Sequence, residues 1–156
     1  VDYAHTPDAL EQALLNLRPH LQGRLTCVFG CGGNRDAGKR PLMGAIAEHL
    51  ADHVILTDDN PRREDGDDII TQILGGMAHP ARVVIERRRG MAIRRAIASA
   101  GRNDLVLVAG KGHETIQDLG DRQVHFSDRA QVQQALNERS GTHHLRSRKA
   151  LTVEPA

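Results

Sequence analysis

Apolar residues fall along this chain in two alternating rhythms. Short continuous runs occur at Leu25–Phe29, Val54–Thr57, Val83–Ile85 and Leu105–Ala109, and between them lie longer stretches with apolar positions three or four apart. Runs of the first kind predict strands buried on both faces, and the longer period predicts helices packed against them. Thr6, a hydroxyl cap, and Pro7 at the first helical position open a helix carrying Ala9, Leu10, Ala13, Leu14 and Leu17 on one face. Further helices are predicted from about Pro41 to Ala51, through Ile69, Ile70, Ile73 and Leu74 with Gly75 and Gly76 as a stop, and from Met91 to Ala100 before Gly101. Beyond Ala109, Thr115–Leu119 and Gln123–Phe126 flank Gly120-Asp121-Arg122 as a hairpin, and Ser127 caps a last helix running through Leu136. This order predicts an α/β, Rossmann-like three-layer domain: a mostly parallel sheet of about six strands with an antiparallel hairpin at one edge. From Asn137 onward the periodicity fades, so residues 1–138 read as the domain and 139–156 as a basic tail or linker.

Composition narrows the classes of function. The chain has 156 residues, enough for one domain that buries roughly two-thirds of its unfolded surface. Lys and Arg total 21 against 20 Asp and Glu, so no overall field favours nucleic acid or an anionic membrane. Aromatic content of 2% argues against base-stacking platforms. With no apolar run near a membrane span and no signal-peptide pattern, a cytoplasmic location is expected. The triplet Arg87–Arg89 and the run Arg146–Lys149 read as solvated surface. Cys27 reads as a small buried hydrophobe, and Cys31 as either a turn residue or a reactive thiol. The remaining histidines, His143 and His144 among them, show no metal-ligand spacing. The chain opens at Val1 directly on a motif, as a piece of something longer would.

The candidate chemistry lies in loops that follow strands. Asp58–Arg62, D-D-N-P-R, follows one predicted strand, and Gly110–Glu114, G-K-G-H-E, follows another. In an open parallel sheet ligands collect beyond the carboxyl ends of the strands, so these loops are predicted to wall one pocket. Pro61 pushes Asn60 toward extended geometry and presents Asp59, Asn60 and Arg62 in defined directions. Arg62 suits a forked pair with a carboxylate, whereas Glu114 suits an ammonium. An ordinary turn is the plainer reading of D-D-N-P-R, whereas G-K-G-H-E, with two glycines around a lysine that let the backbone approach a ligand, is harder to read as a strand-to-hairpin turn alone. Two of only three lysines, Lys39 and Lys111, sit in glycine turns, Lys111 reading most simply as a solvated turn residue. Gly33–Lys39 satisfies G-x-x-x-x-G-K, yet Arg40 stands where a Ser or Thr hydroxyl is needed for magnesium. Arg35 in the same turn is a candidate anion or carboxylate ligand. Gly30–Gly33 lacks the third glycine of a dinucleotide fingerprint, so a nicotinamide-dependent oxidoreductase stays a weak alternative. Asp2 and His5, ahead of the first helix, are either capping residues or contacts to a ribose and a phosphate.

V-D-Y-A-H-T-P-D-A-L, F-G-C-G-G-N-R-D-A-G-K-R-P-L-M, T-D-D-N-P-R and L-V-A-G-K-G-H-E occur in that order. Together they resemble the carboxy-terminal domain of the Mur ligases, in the type that adds diaminopimelate as the third peptide residue. The resemblance implies a three-domain, ATP- and Mg2+-dependent amide ligase of peptidoglycan precursor synthesis. In that scheme an acyl phosphate forms on the D-glutamate of UDP-MurNAc-L-Ala-D-Glu, and the amine of meso-diaminopimelate attacks it. It assigns amino-acid contacts to Arg35, Asp59, Asn60, Arg62, Gly110 and Glu114, and the nucleotide side, more weakly, to Asp2 and His5. It also implies that the ATPase core and the UDP-binding half lie outside this chain, which alone is expected to be inactive. A stand-alone amino-acid-binding module is the non-enzymatic alternative.

Overall fold

In the computed structural model, the structure describes the backbone of residues 1–150 and side chains to residue 141; expectations for the side chains of His143, His144 and Arg146–Lys149, and for residues 151–156, fall outside what is described. The predicted order is found: α1 (Pro7–Leu17), β1 (Leu25–Phe29), α2 (Lys39–Leu50), β2 (His53–Leu56), α3 (Gly66–Leu74), β3 (Val84–Ile85), α4 (Arg89–Ser99), β4 (Leu105–Val108), β5 (Ile116–Asp118), β6 (Gln123–His125) and α5 (Asp128–Ala150). Thr6 caps α1 through its side chain, accepting from the Ala9 N–H at 3.3 Å.

The first four strands form one parallel sheet in the order β3-β2-β1-β4. β1 lies in its centre and is buried at every position, matching its unbroken apolar run. Side chains alternate across it: Cys27 and Phe29 join Leu10, Leu14, Met43 and Ile73 beneath α1, α2 and α3, while Val28 joins Ala92, Ile93, Ala96 and Ala135 beneath α4 and α5. Helices on both faces give the three layers. The chain adds β2 and β3 on one side of β1 and then crosses back to place β4 on the other. The carboxyl ends of β1 and β4 therefore flank a topological switch point, where loops diverge and a crevice opens. Asp2 extends this side by a parallel bridge to Ala109.

Three details differ from expectation. The six strands divide into four and two, because β5 and β6 form a separate antiparallel pair. The hairpin follows β4 through G-K-G-H-E, which turns it across the strand ends; there the Asp118 carbonyl accepts from the Arg62 N–H at 3.1 Å. α5 continues past Leu136 to Ala150, through residues that contain no proline and many good helix formers. Arg87–Arg89 is not a solvated triplet. Only Arg88 is largely exposed, whereas Arg87 is half-buried against Asp58 and Asp67, and Arg89 is fully buried. The Arg89 fork grips Asp128 with two bonds of 2.7 Å and donates to the Ala109 carbonyl at 2.9 Å. It thereby ties α4, α5 and the root of the loop after β4 together.

Candidate functional site

The loops after β1, β2 and β4 converge at the switch point. Gly30 permits the first two to touch: a Cβ there would meet the Thr57 carbonyl oxygen at 1.9 Å. The result is a concavity of about 480 Å³ lined by Arg35, Asp59, Asn60, Arg62, Gly110 and Glu114, with His5 at its margin. All six residues assigned to the amino acid thus meet in one place. Asp2 does not line the concavity. Its backbone bridges β4, donating to Val108 and accepting from Gly110, and its carboxylate holds the Ala4 N–H at 2.8 Å. Tyr3 packs against His5 and His113 with tilted rings, at centroid distances of 4.6 and 5.5 Å.

Asn60 is the hub between the loops. Its Oδ1 accepts from the Asp118 N–H at 2.9 Å and from Lys111 Nζ at 3.0 Å, and its Nδ2 donates to Glu114 Oε2 at 3.0 Å. Burial, the largest influence on Glu114, pushes its carboxyl up; the hydrogen bonds from Lys111 and Asn60 outweigh it and hold the group below the usual glutamate range. Asp59 behaves oppositely. Its carboxylate has no hydrogen-bond partner among the described residues, and burial pushes its carboxyl above the usual range, against the opposing charges of Arg89 and Lys111. Gly110, at φ 115°, brings the backbone against that carboxylate: a Cβ would lie 2.6 Å from Asp59 Oδ2.

Arg62 holds a left-handed backbone, φ 52°, unusual for a side chain of its size. Its Nη1 donates to the Gly33 carbonyl at 2.8 Å and its Nε lies 3.9 Å from Asp118, which leaves Nη2 free for the concavity. Arg35 is exposed and has no partner among the described residues. Two guanidinium groups, the Lys39 ammonium and three carboxylates, those of Asp36, Asp59 and Glu114, therefore line one small volume, an arrangement that suits a ligand carrying both charges at more than one centre.

Gly33–Lys39 does not fit a magnesium–nucleotide loop. Arg40, fully buried, donates to Glu64 and Gln72 at 2.8 Å and to the Gly32 carbonyl at 3.0 Å, so it closes the turn rather than facing an anion. Lys39 Nζ is held by the His5 carbonyl at 2.7 Å. No group of three His, Cys, Asp or Glu able to hold a metal exists among the described residues. The reactive-thiol reading of Cys31 fails as well, since burial pushes the thiol up to about 12 and its Sγ rests 3.7 Å from Met43 Sδ.

Sequence reasoning missed the buried cations. Lys111 is fully buried, not solvated, and with Arg40 and Arg89 it forms the polar frame behind the concavity. A nearby acid would have been the signal, but Glu64 and Asp128 lie 24 and 39 residues from their partners, and Glu114, at i+3 from Lys111, does not by itself announce burial.

A charged concavity at the switch point of a parallel α/β sheet places the chain in a recognised class. It belongs to the Mur ligase family, matching the Mur ligase, glutamate ligase domain over residues 1–112. Over 141 residues it is 59% identical to UDP-N-acetylmuramoyl-L-alanyl-D-glutamate–2,6-diaminopimelate ligase of Xanthomonas campestris, covering 90% of this chain and 28% of that protein. The like-named ligase of Parasynechococcus marenigrum is 58% identical over 139 residues, covering 89% and 28%. Among solved structures, a UDP-N-acetylmuramoyl-L-alanyl-D-glutamate–2,6-diaminopimelate ligase superposes with a TM-score of 0.83 at 43% identity, over 91% of this chain and 29% of that one. E. coli FolC in complex with ADP shares the fold at TM-score 0.52 and 21% identity, over 69% and 24% of the respective chains. The chain thus spans under a third of the length of the relatives it matches.

Proposed function

We propose that this chain is the amino-acid-receiving, carboxy-terminal part of an ATP-dependent ligase that joins meso-diaminopimelate to UDP-MurNAc-L-Ala-D-Glu. The observation that carries this reading is the pairing, in about 480 Å³, of Arg35 and Arg62 with Asp59 and Glu114. Diaminopimelate is a diamine with a carboxylate at each end. Glu114 and Asp59 take ammonium groups, Arg35 and Arg62 take carboxylates, and Gly110 allows close approach of the backbone. Lysine lacks the second carboxylate, so Arg62 discriminates between the two by a charge-assisted pair that lysine cannot form. The names of the similar ligases, together with 59% identity, support the diaminopimelate assignment.

ATP, Mg2+ and the UDP-MurNAc-dipeptide are held by the remainder of the longer protein, since the turn at Gly33–Lys39 suits neither the nucleotide nor its metal. His5, which lines the concavity, and Asp2, which lies outside it, are assigned to the nucleotide side on the family resemblance alone. This chain binds and orients the amino acid so that one amine meets the activated D-glutamate carboxyl. A cytoplasmic location goes with this reading through the resemblance to the ligases; among the described residues no helix is long and apolar enough to cross a membrane.

The test is Arg62→Ala in the longer protein. Loss of a charge-assisted pair costs about 1.5–3 kcal/mol, so KM for diaminopimelate should rise roughly tenfold to a hundredfold. Unchanged diaminopimelate kinetics would reduce Arg62 to a turn residue and remove the basis for specificity.

A further inference from the structure

We propose that Lys111 is a positioning residue for amino-acid binding: its buried ammonium sets the polarity of the recognition pair formed by Asn60 and Glu114. The inference rests on the ligase reading above. Lys111 is fully buried, and its Nζ has three acceptors: Asn60 Oδ1 at 3.0 Å, Glu114 Oε2 at 2.8 Å and the Ile116 carbonyl at 2.8 Å. An ammonium has three protons and no acceptor. All three are spent inside the protein, so Lys111 touches no ligand and acts only through its neighbours.

The consequence for Asn60 follows from chemistry. Lys111 Nζ and the Asp118 N–H are both donors, so the amide atom that faces them must be oxygen. The Asn60 NH2 is thereby forced to the other side. One of its protons goes to Glu114 Oε2, and the second remains available to an acceptor such as a substrate carboxylate. Without Lys111 the amide loses one of the three contacts that forbid its reversal, the others being the Asp118 N–H and Glu114 Oε2. A reversed amide would offer an oxygen where a donor is required.

Glu114 is fixed in the same way. Oε2 carries both Lys111 and Asn60, which leaves Oε1 to face an ammonium. The charges around Glu114 come from Lys111 on its own loop, Arg62 and Asp59 on the loop after β2, and Arg89 on α4. Lys111 is the only one of these hydrogen-bonded to it, and so does most to keep it ionised. Lys111 thus presents a donor and an anion side by side, matched to the adjacent carboxylate and ammonium of an α-amino acid.

The experiment uses Lys111→Met and Lys111→Gln in the longer protein, after the parent is shown to ligate diaminopimelate. Failure of the parent would sink the ligase reading and is distinct from any result on Lys111. For Lys111→Met, KM for diaminopimelate should rise about tenfold or more, while KM for ATP and for the nucleotide dipeptide stays within about twofold. The acid limb of kcat/KM for diaminopimelate should move to higher pH, because Glu114 must be ionised to bind an ammonium and loses the cation that holds its carboxyl down. Lys111→Gln, which keeps a donor for Asn60 without the charge, should recover part of the KM and retain the displaced limb. Equal losses for all three substrates with an unmoved acid limb would overturn the proposal. So would failure of both variants to fold, which would assign Lys111 to the architecture alone.

Discussion

Replacing Asp128 with asparagine isolates the buried pair beneath the site. Arg89 and Asp128 are both fully buried and joined by two bonds of 2.7 Å. Asparagine preserves volume and one acceptor but removes the countercharge, and Arg89 cannot release its proton to compensate. Breaking a buried pair from one side costs about 3–5 kcal/mol, because an uncompensated charge stays in the interior. For a domain of this size each kcal/mol shifts Tm by about 2–4 °C, so Asp128→Asn should melt roughly 6–20 °C lower by circular dichroism. Arg88→Ala is the control: its side chain is 75% exposed and paired only with Glu86, so little change is expected. The double change Arg89→Met with Asp128→Leu should recover much of the loss, since neither charge is then stranded. A fall of less than about 2 °C for Asp128→Asn would refute the reasoning that this pair is dry and that its charges depend on each other.

Asp59→Asn should raise Tm at neutral pH, because an unpartnered, buried carboxylate is removed. Burial lifts the folded carboxyl above its unfolded value, so ionised Asp59 destabilises the fold above that raised value; the penalty fades as pH falls toward the ordinary aspartate range, and the advantage of Asn should fade with it. A pH-independent gain would show that ionisation is not its source. Gly110→Ala forces a Cβ 2.6 Å from Asp59 Oδ2 at φ 115°, and should weaken amino-acid binding and lower Tm together; calorimetric titration with unchanged affinity would contradict the close approach. Glu64→Gln should destabilise the chain at neutral pH and make little difference in acid: the Arg40 hydrogen bond holds the Glu64 carboxyl below its usual range, so the stability it confers is present above the ordinary glutamate value and lost as pH falls through the lowered one. A difference that persists at low pH would assign the loss to packing. The isolated chain should release no ADP above blank when given every substrate, and release above that level would place the ATPase core within it.

How much of this was legible depended on distance along the chain. Thr6-Pro7, the run Leu105–Ala109 and the glycine stops are local signals, and the elements they announce stand within a residue or two of expectation. Strand order was not written in any one segment, but parallel strands joined by helices leave few topologies, and all place D-D-N-P-R and G-K-G-H-E at the same end of the sheet. Convergence of the six residues that the resemblance assigns to the amino acid in one concavity followed from that placement. Burial of Lys111, Arg40 and Arg89 was invisible, because a charged residue reads as exposed until its acceptors are known, and Asn60 lies 51 residues before Lys111. The hairpin was recognisable from its turn, but its docking over the loops depends on contacts such as Gln117 Nε2 to the Asp59 carbonyl at 2.8 Å.

The most direct measurement is amide formation by the longer protein, given ATP, Mg2+ and UDP-MurNAc-L-Ala-D-Glu and offered either meso-diaminopimelate or L-lysine, with products resolved by mass. Selection by Arg62 predicts a diaminopimelate adduct in strong preference to a lysine one, and loss of that preference in Arg62→Ala. Equal use of lysine by the parent, or a preference that survives Arg62→Ala, would contradict it.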